Sequence, residues 1–448
     1  MSFLSVMGKE AGLFKGLPKS SRFLICAHFD CDGICSAAIF SQMMDYLGMR
    51  YDIVMRPFLD KRTVNELSKR DMDYYIFLDM GSSKLSIIDK IPAKKIYVLD
   101  HHTPESYGSG KIIHINAQDF DSTLSGAGVA YLFARDIDPE AKSELAIIGA
   151  IGDAQGKRGF TGLNKEILEH AKKRGKIQAR DSIRLFGTGK RTLPELLKHT
   201  DDPYIPGVTG NEHEARAFLC ELGIPIKKED EHRYYRDLSD DELDLIAEGI
   251  ISKRQGCKDP EDIFGPVYIL PDEEYDAKEF ATILNACGKM GRTDIGLDLC
   301  RGKPEAKDKA SEISGSYKDM LTGSIEWARK NIISEDGVVM INAKDEIPAD
   351  IIGTVSSILS YSDMTEEGDI ILSMARKKDT HETKISMRVK GRDDLDLSMI
   401  LRDITKKIGN VSGGHRNAAG AVIPTAQEDY FIEEARKVLK GCAVQIII

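Results

Sequence analysis

In the first 190 residues, short apolar runs stop repeatedly on an imidazole or a carboxylate. The run at 23–27 ends at His28, the run at 74–78 at Asp79, and the run at 95–99 at Asp100. Further runs at 53–54 and 111–115 alternate with helical stretches at 36–47, 63–70, 126–135 and 144–151. Short strands without a polar face, separated by helices, predict a mostly parallel sheet with helices on both faces. In such sheets ligands bind beyond the carboxyl ends of the strands, where His28, Asp79 and Asp100 fall.

A chain of 448 residues has room for about three domains at ~150 residues each. The sequence reads as an α/β, parallel-sheet domain over 1–190, a mixed and largely helical inserted region over 191–330, and a smaller α+β domain over 331–448. The carboxylate-rich stretch 227–240 in the insert reads as a solvated surface. The last region runs strand, helix, two strands around Lys377-Lys378-Asp379-Thr380, helix, a glycine-rich loop at 412–420, strand and helix. It ends on an apolar run, 443–448, suited to a sheet edge or a partner. A net charge of −10 argues against coating nucleic acid through global charge, while leaving room for a local basic channel. No stretch approaches the ~20 apolar residues of a membrane span, and the N-terminus has no basic start with a long apolar core. The eight cysteines are scattered without a Cys-x-x-Cys pair, which fits reduced thiols and a cytoplasmic location.

Around the strand ends the chain reads Ala27-His28-Phe29-Asp30-Cys31-Asp32-Gly33, Phe77-Leu78-Asp79, Leu99-Asp100-His101-His102 and Ile148-Gly149-Ala150-Ile151-Gly152-Asp153. At strand spacing, His28, Asp30 and Asp32 share one face and Cys31 points to the other, into packing. Carboxylates with imidazoles suit Mn²⁺, Mg²⁺ or Zn²⁺. Any one of these acids alone reads as a cap or turn residue; the four groups together, in this order, point to a two-metal hydrolase.

A second signal is Ser412-Gly413-Gly414-His415-Arg416-Asn417-Ala418-Ala419-Gly420. Its small residues let a phosphodiester approach main-chain N–H groups, with His415 and Arg416 at hand. Lys384-Ile385-Ser386-Met387-Arg388 places an arginine at the end of a strand pattern. The clusters Lys172-Lys173-Arg174, Lys190-Arg191 and Arg376-Lys377-Lys378 read as solvated faces. Gly187-Thr188-Gly189-Lys190-Arg191 lacks the upstream glycine and the Ser or Thr of a P-loop.

The four motifs resemble those of the DHH phosphoesterase superfamily, over about 22–190 and again over 335–425. That resemblance implies one divalent ion on His28, Asp30 and Asp79 and a second on Asp32, Asp79, His101 and Asp153. Asp79 would bridge, Asp100 orient the histidines, and His102 face the substrate phosphate. The implied cofactor is a pair of divalent ions, Mn²⁺ first and Mg²⁺ as the other candidate. The implied substrate grip is a DHH-associated C-terminal domain using Ser386, Arg388, Gly413, Gly414, His415 and Arg416, with Ser412 where the family usually has a first glycine. An insert of over a hundred residues, beginning near Asp202-Pro203-Tyr204-Ile205-Pro206, resembles the archaeal RecJ-like proteins, which include the GINS-associated nuclease. The implied activity is a metal-dependent exonuclease on single-stranded DNA, RNA or both, in replication or repair, with single-stranded nucleic acid and GINS as partners and no membrane. The alternatives are a structural subunit bound to GINS and a phosphodiesterase for short oligonucleotides or cyclic dinucleotides.

Overall fold

The computed structural model describes the chain except residues 1, 121, 201, 257, 258, 274, 363, 379, 393, 407, 409–411 and 444–448 and the side chains of 412, 415 and 441–443. Most of the apolar ending therefore lies outside the described residues. Two compact units divide the chain, Met1–Ser314 and Gly315–Ile448.

In the first unit the strands β1 (Arg22–His28), β2 (Arg50–Arg56), β3 (Tyr74–Leu78), β4 (Lys95–Asp100) and β5 (Ile112–Asn116) form a sheet in the order β2-β1-β3-β4-β5. Every pairing in it is parallel. The helices are α1 (Phe3–Lys15), α2 (Cys31–Leu47), α3 (Lys61–Ser68), α4 (Leu85–Ile88), α5 (Gly126–Ala134), α6 (Ser143–Gly152) and α7 (Gly162–Lys173). Alternate strand residues feed two cores. Phe23, Ile25, Ala27, Ile76, Leu78 and Leu99 pack with α1, α2, α5 and α6. Leu24, Cys26, Tyr75, Phe77, Ile96 and Val98 pack with α3 and α4. Burial on both faces is why these runs carry no alternation in sequence. The order reverses between β1 and β3, so their carboxyl ends open a crevice at the topological switch point.

After β6 (Gln178–Ile183) come α8 (Leu193–His199), α9 (Glu212–Glu221), the short β7 (Lys227–Lys228) and β8 (Glu231–His232), and α10 (Asp240–Lys253). This stretch has its own core of Leu196, Ile205, Phe218, Leu219, Ile246 and Ile263. Then β9 (Phe264–Ile269) returns antiparallel to β6. The helices α11 (Ala277–Lys289) and α12 (Thr293–Cys300) bury Phe280, Leu284, Cys287 and Leu299 in the first core. Residues read from sequence as one inserted region thus contribute to two cores. The cause is the β6–β9 pairing, a contact between segments about 80 residues apart that no local pattern carries. The long helix α13 (Pro304–Asn331) runs across the unit boundary.

In the second unit, β10 (Ile333–Glu335), β11 (Val338–Asn342), β12 (Ile370–Arg376), β13 (Glu382–Val389), β14 (Ser412–His415) and β15 (Ala418–Pro424) lie in the order β10-β11-β12-β13-β15-β14. Only β11 and β12 are parallel. One face packs α14 (Ile352–Tyr361), and the other packs α15 (Leu397–Lys406) and α16 (Glu428–Ala443). The stretch expected as a glycine-rich loop is the β14–β15 hairpin. Its Gly414, at φ +142°, has room for nothing larger, since a Cβ there would lie 2.4 Å from the Ala418 carbonyl oxygen.

Candidate metal centre and phosphate site

β1 ends on His28, and the chain turns at once into α2. Asp30 caps that helix, its Oδ1 accepting from the Gly33 N–H at 3.1 Å, and Asp32 sits in the first turn. His28, Asp30 and Asp32 therefore do not alternate along an extended strand, as the sequence led us to expect. They converge because the helix starts hard against the strand end, where a Cβ on Gly33 would lie 2.1 Å from the His28 carbonyl oxygen. Cys31 is buried with its thiol donating to the Ile148 carbonyl at 3.6 Å, a packing position.

Asp79 follows β3 in the left-handed region, at φ +56°. A non-glycine residue there costs about 1–3 kcal/mol. Its N–H bonds the Leu99 carbonyl at 3.0 Å, which holds it across the sheet end. Asp32 receives the N-terminus of α5: its Oδ2 accepts from Gly126 N–H at 2.6 Å and its Oδ1 from Ala127 N–H at 2.9 Å. Asp153 lies just past α6, its Oδ2 accepting from Gln155 Nε2 at 2.8 Å. Gly126, Ala127 and Gln155 were not singled out in the sequence, because backbone donors and a lone glutamine leave no pattern.

These groups face one another closely. His28 Nδ1 lies 2.9 Å from Asp30 Oδ2 and 3.5 Å from Asp79 Oδ2. His101 Nε2 lies 3.2 Å from Asp79 Oδ1 and 3.7 Å from Asp32 Oδ2, and its Nδ1 lies 3.7 Å from Asp153 Oδ2. His28 Nδ1 and Asp79 Oδ1 are buried without a well-aligned hydrogen bond. Burial and the neighbouring Asp79 push the Asp32 carboxyl well above the usual range. Burial opposes a charged His101, but Asp79, Asp32 and Asp153 outweigh it and raise its pKa to about 10. Burial likewise opposes charge on His28, and Asp30 and Asp79 outweigh it. A site this rich in carboxylate calls for positive charge, and its oxygen and imidazole donors fit hard divalent ions. Ligand atoms gather within 4.8 Å of one another in three overlapping groups, His28 with Asp30 and Asp79, Asp32 with His101 and Asp153, and Asp79 with Asp100, His101 and His102, so Asp79 and His101 each belong to two.

Asp100 is engaged otherwise. Its Oδ1 takes His101 N–H at 2.7 Å, His102 N–H at 3.2 Å and His102 Nδ1 at 2.7 Å, and its Oδ2 takes Ser82 N–H at 2.9 Å. It is fully buried, whereas the His102 side chain is 47% exposed with its Nε2 unclaimed by these bonds.

In the second unit, the register sets Ser386, Gly420 and Gly413 in one row across three strands and Arg388, Ala418 and His415 in the next. The two C-terminal motifs are thus neighbours in the sheet, joined by small residues of β15. Arg388 donates to the Ser357 and Ser386 hydroxyls at 2.9 and 3.2 Å and to the Met387 carbonyl at 2.8 Å, and among the described residues it meets no carboxylate. Burial lowers its pKa. Arg416 is exposed in the hairpin turn, and the His415 side chain lies outside the described residues. The basic clusters are paired surfaces: Lys172 with Glu169, Arg174 with Glu140, and Arg376 with Asp345 and Glu428. At Gly187-Thr188 the N–H groups donate to Asp276 at 3.1 and 2.7 Å, so a carboxylate occupies the place of a phosphate.

Residues 22–152 match the DHH family N-terminal domain, 185–259 the DHH-CID domain and 336–441 the DHHA1 domain. An uncharacterized protein of Methanocaldococcus jannaschii is 27% identical over 434 residues, covering 93% of this chain and 92% of its own. RecJ from Thermus thermophilus, solved with Mn²⁺, superposes with a TM-score of 0.61 at 15% identity over 98% of this chain; the match spans 55% of the RecJ chain, about half its length. CDC45 from Entamoeba histolytica superposes with a TM-score of 0.65 at 14% identity, covering 98% of this chain and 99% of that one. At such identities the likeness is one of fold. With the three domains matched in order and the motif residues gathered at the sheet's carboxyl edge, the chain belongs to the DHH superfamily.

Proposed function

We propose that this protein is a two-metal phosphodiesterase of the RecJ type, an exonuclease on single-stranded nucleic acid. The observation that carries the reading is Asp79, whose Oδ2 faces His28 at 3.5 Å and whose Oδ1 faces His101 at 3.2 Å. One carboxylate addressing two ligand groups is what a bridge between paired ions requires. His28, Asp30 and Asp79 would hold one ion, and Asp32, Asp79, His101 and Asp153 the other. Bound there, divalent cations, Mn²⁺ or Mg²⁺, supply acidification of an attacking water and neutralisation of phosphate charge.

The chain's own residues supply the rest. Asp100 holds the Nδ1 proton of His102 at 2.7 Å, which leaves Nε2 to meet a phosphate oxygen or the leaving group. Arg388, cationic and with no carboxylate partner among the described residues, is suited to a phosphate of the bound strand. Ser386, Gly413, Gly414, His415 and Arg416 complete the grip.

The test is digestion of end-labelled single strands, of both polarities and both sugars, with Mn²⁺. We expect nucleotide release, abolished in Asp79→Ala with folding intact. Full activity in that variant would sink the site; no hydrolysis of strands or dinucleotides by the wild type would sink the function. The full-length likeness to CDC45 favours a second reading, a subunit bound to GINS, which capture of GINS by a catalytically silent wild-type chain would support instead.

A further inference from the structure

His101 and His102 lie just beyond β4, outside any helix or strand. Their imidazoles have different duties under the proposed function, and no sheet ladder fixes the backbone that carries them. Side chains do it instead. The two N–H groups are bound by Asp100. The two carbonyls are bound from the end of the neighbouring β5: Asn116 Nδ2 donates to the His102 carbonyl at 2.7 Å, and Gln118 Nε2 to the His101 carbonyl at 2.7 Å. Parallel pairing sets Asn116 directly beside Asp100. Every main-chain polar group of the histidine pair is therefore clamped.

Asn116 is itself fixed. It is fully buried. Its Oδ1 accepts from Gln118 N–H at 2.8 Å, so the amide has one orientation, and its Nδ2 donates to Ser82 Oγ at 2.8 Å as well as to His102. Ser82 Oγ also lies within hydrogen-bond distance of His114 Nε2, at 2.9 Å. His114 Nδ1 in turn faces Asp119 Oδ2 at 3.6 Å. The Ser82 N–H meanwhile reaches Asp100 at 2.9 Å, closing the circuit.

We propose that Asn116 is a positioning residue for His102, with Ser82 and the Gln118 N–H setting its amide. The activity readouts rest on the function proposed above; the exchange readout does not. Catalytic placement is steep, about 10²-fold for a 1 Å displacement. Asn116→Leu keeps the volume and removes the donor. We expect kcat to fall roughly 10- to 100-fold with KM within about twofold. In a His102→Ala background the same change should cost under about twofold, because both act through one imidazole. Ser82→Ala, which keeps the N–H to Asp100, should fold normally and lower kcat by about threefold to tenfold. Hydrogen exchange, read without substrate, should show the His102 amide protected in the wild type and exposed in Asn116→Leu. Wild-type kcat in the variant, losses that multiply in the double variant, or unchanged exchange would each overturn the proposal. If the wild type hydrolyses no phosphodiester, the function fails and exchange alone decides the positioning role.

Discussion

Gly126→Ala places one methyl group directly against Asp79. A Cβ at Gly126 would lie 2.6 Å from Asp79 Cβ, 2.7 Å from its Oδ1 and 2.9 Å from its Cα. Restoring ordinary contact needs roughly 0.8 Å of movement, and such overpacking costs about 1–3 kcal/mol. The fold, at ~5–15 kcal/mol, survives that. The site does not, because α5 is anchored by the Asp32 carboxylate at 2.6 and 2.9 Å, so the displacement falls on Asp79, which already sits in the left-handed region. If Asp79 bridges the ions as proposed, a displacement of that size should weaken Mn²⁺ binding at least tenfold and lower hydrolysis by about 10²-fold. Calorimetric titration with Mn²⁺, a thermal melt and hydrolysis of a labelled single strand measure the three effects. A variant with wild-type Mn²⁺ affinity and activity within threefold would refute the claim that the α5 start sets the position of Asp79.

Other outcomes are as specific. Arg388→Met should raise KM for long single strands about tenfold or more while leaving Mn²⁺ affinity alone, as titration of strand length against rate would show. Gly414→Val should open the β14–β15 hairpin, visible as exchange of the β15 amides, since its Cβ would lie 2.4 Å from the Ala418 oxygen. Glu242 receives Arg233 at 2.7 and 2.6 Å, and this pair with the Ser239 cap lowers its pKa to about 2. A carboxyl depressed on folding stabilises above its unfolded pKa of ~4.3 and loses that contribution as pH falls through the folded value. Glu242→Gln should therefore cost about 1–3 kcal/mol near neutrality, and its melting gap from the wild type should close between about pH 4.5 and 2.

The metal-type residues were readable as a group because His28, Asp79, Asp100 and Asp153 lie at the end of a buried strand or helix, and an apolar run stopping on an acid or imidazole is visible in one dimension. Their convergence followed from the strand order, since β1 and β3 adjoin at the reversal of the sheet. The path between His28 and Asp32 was misread, because a residue that caps a helix and one that continues a strand look alike until the turn is seen. The β14–β15 hairpin was misread for a related reason: Gly413, Gly414, Ala418 and Gly420 have no side-chain alternation, and only the pairing of β14 with β15, and of β15 with β13, makes them strands.

Residue order dictated the chemistry on offer: imidazoles and carboxylates, no thiolate pair, placed at the edge of an apolar sheet, and small residues near an arginine further on. Those are properties of side-chain type and local burial pattern. Folding alone settled which oxygen addresses which nitrogen, that Asp100 is consumed by four donors, that the start of α5 holds Asp32, and that Asn116 and Gln118 bind the carbonyls of His102 and His101. Each of these depends on contacts between distant segments, and distance along the chain carries no record of distance in space.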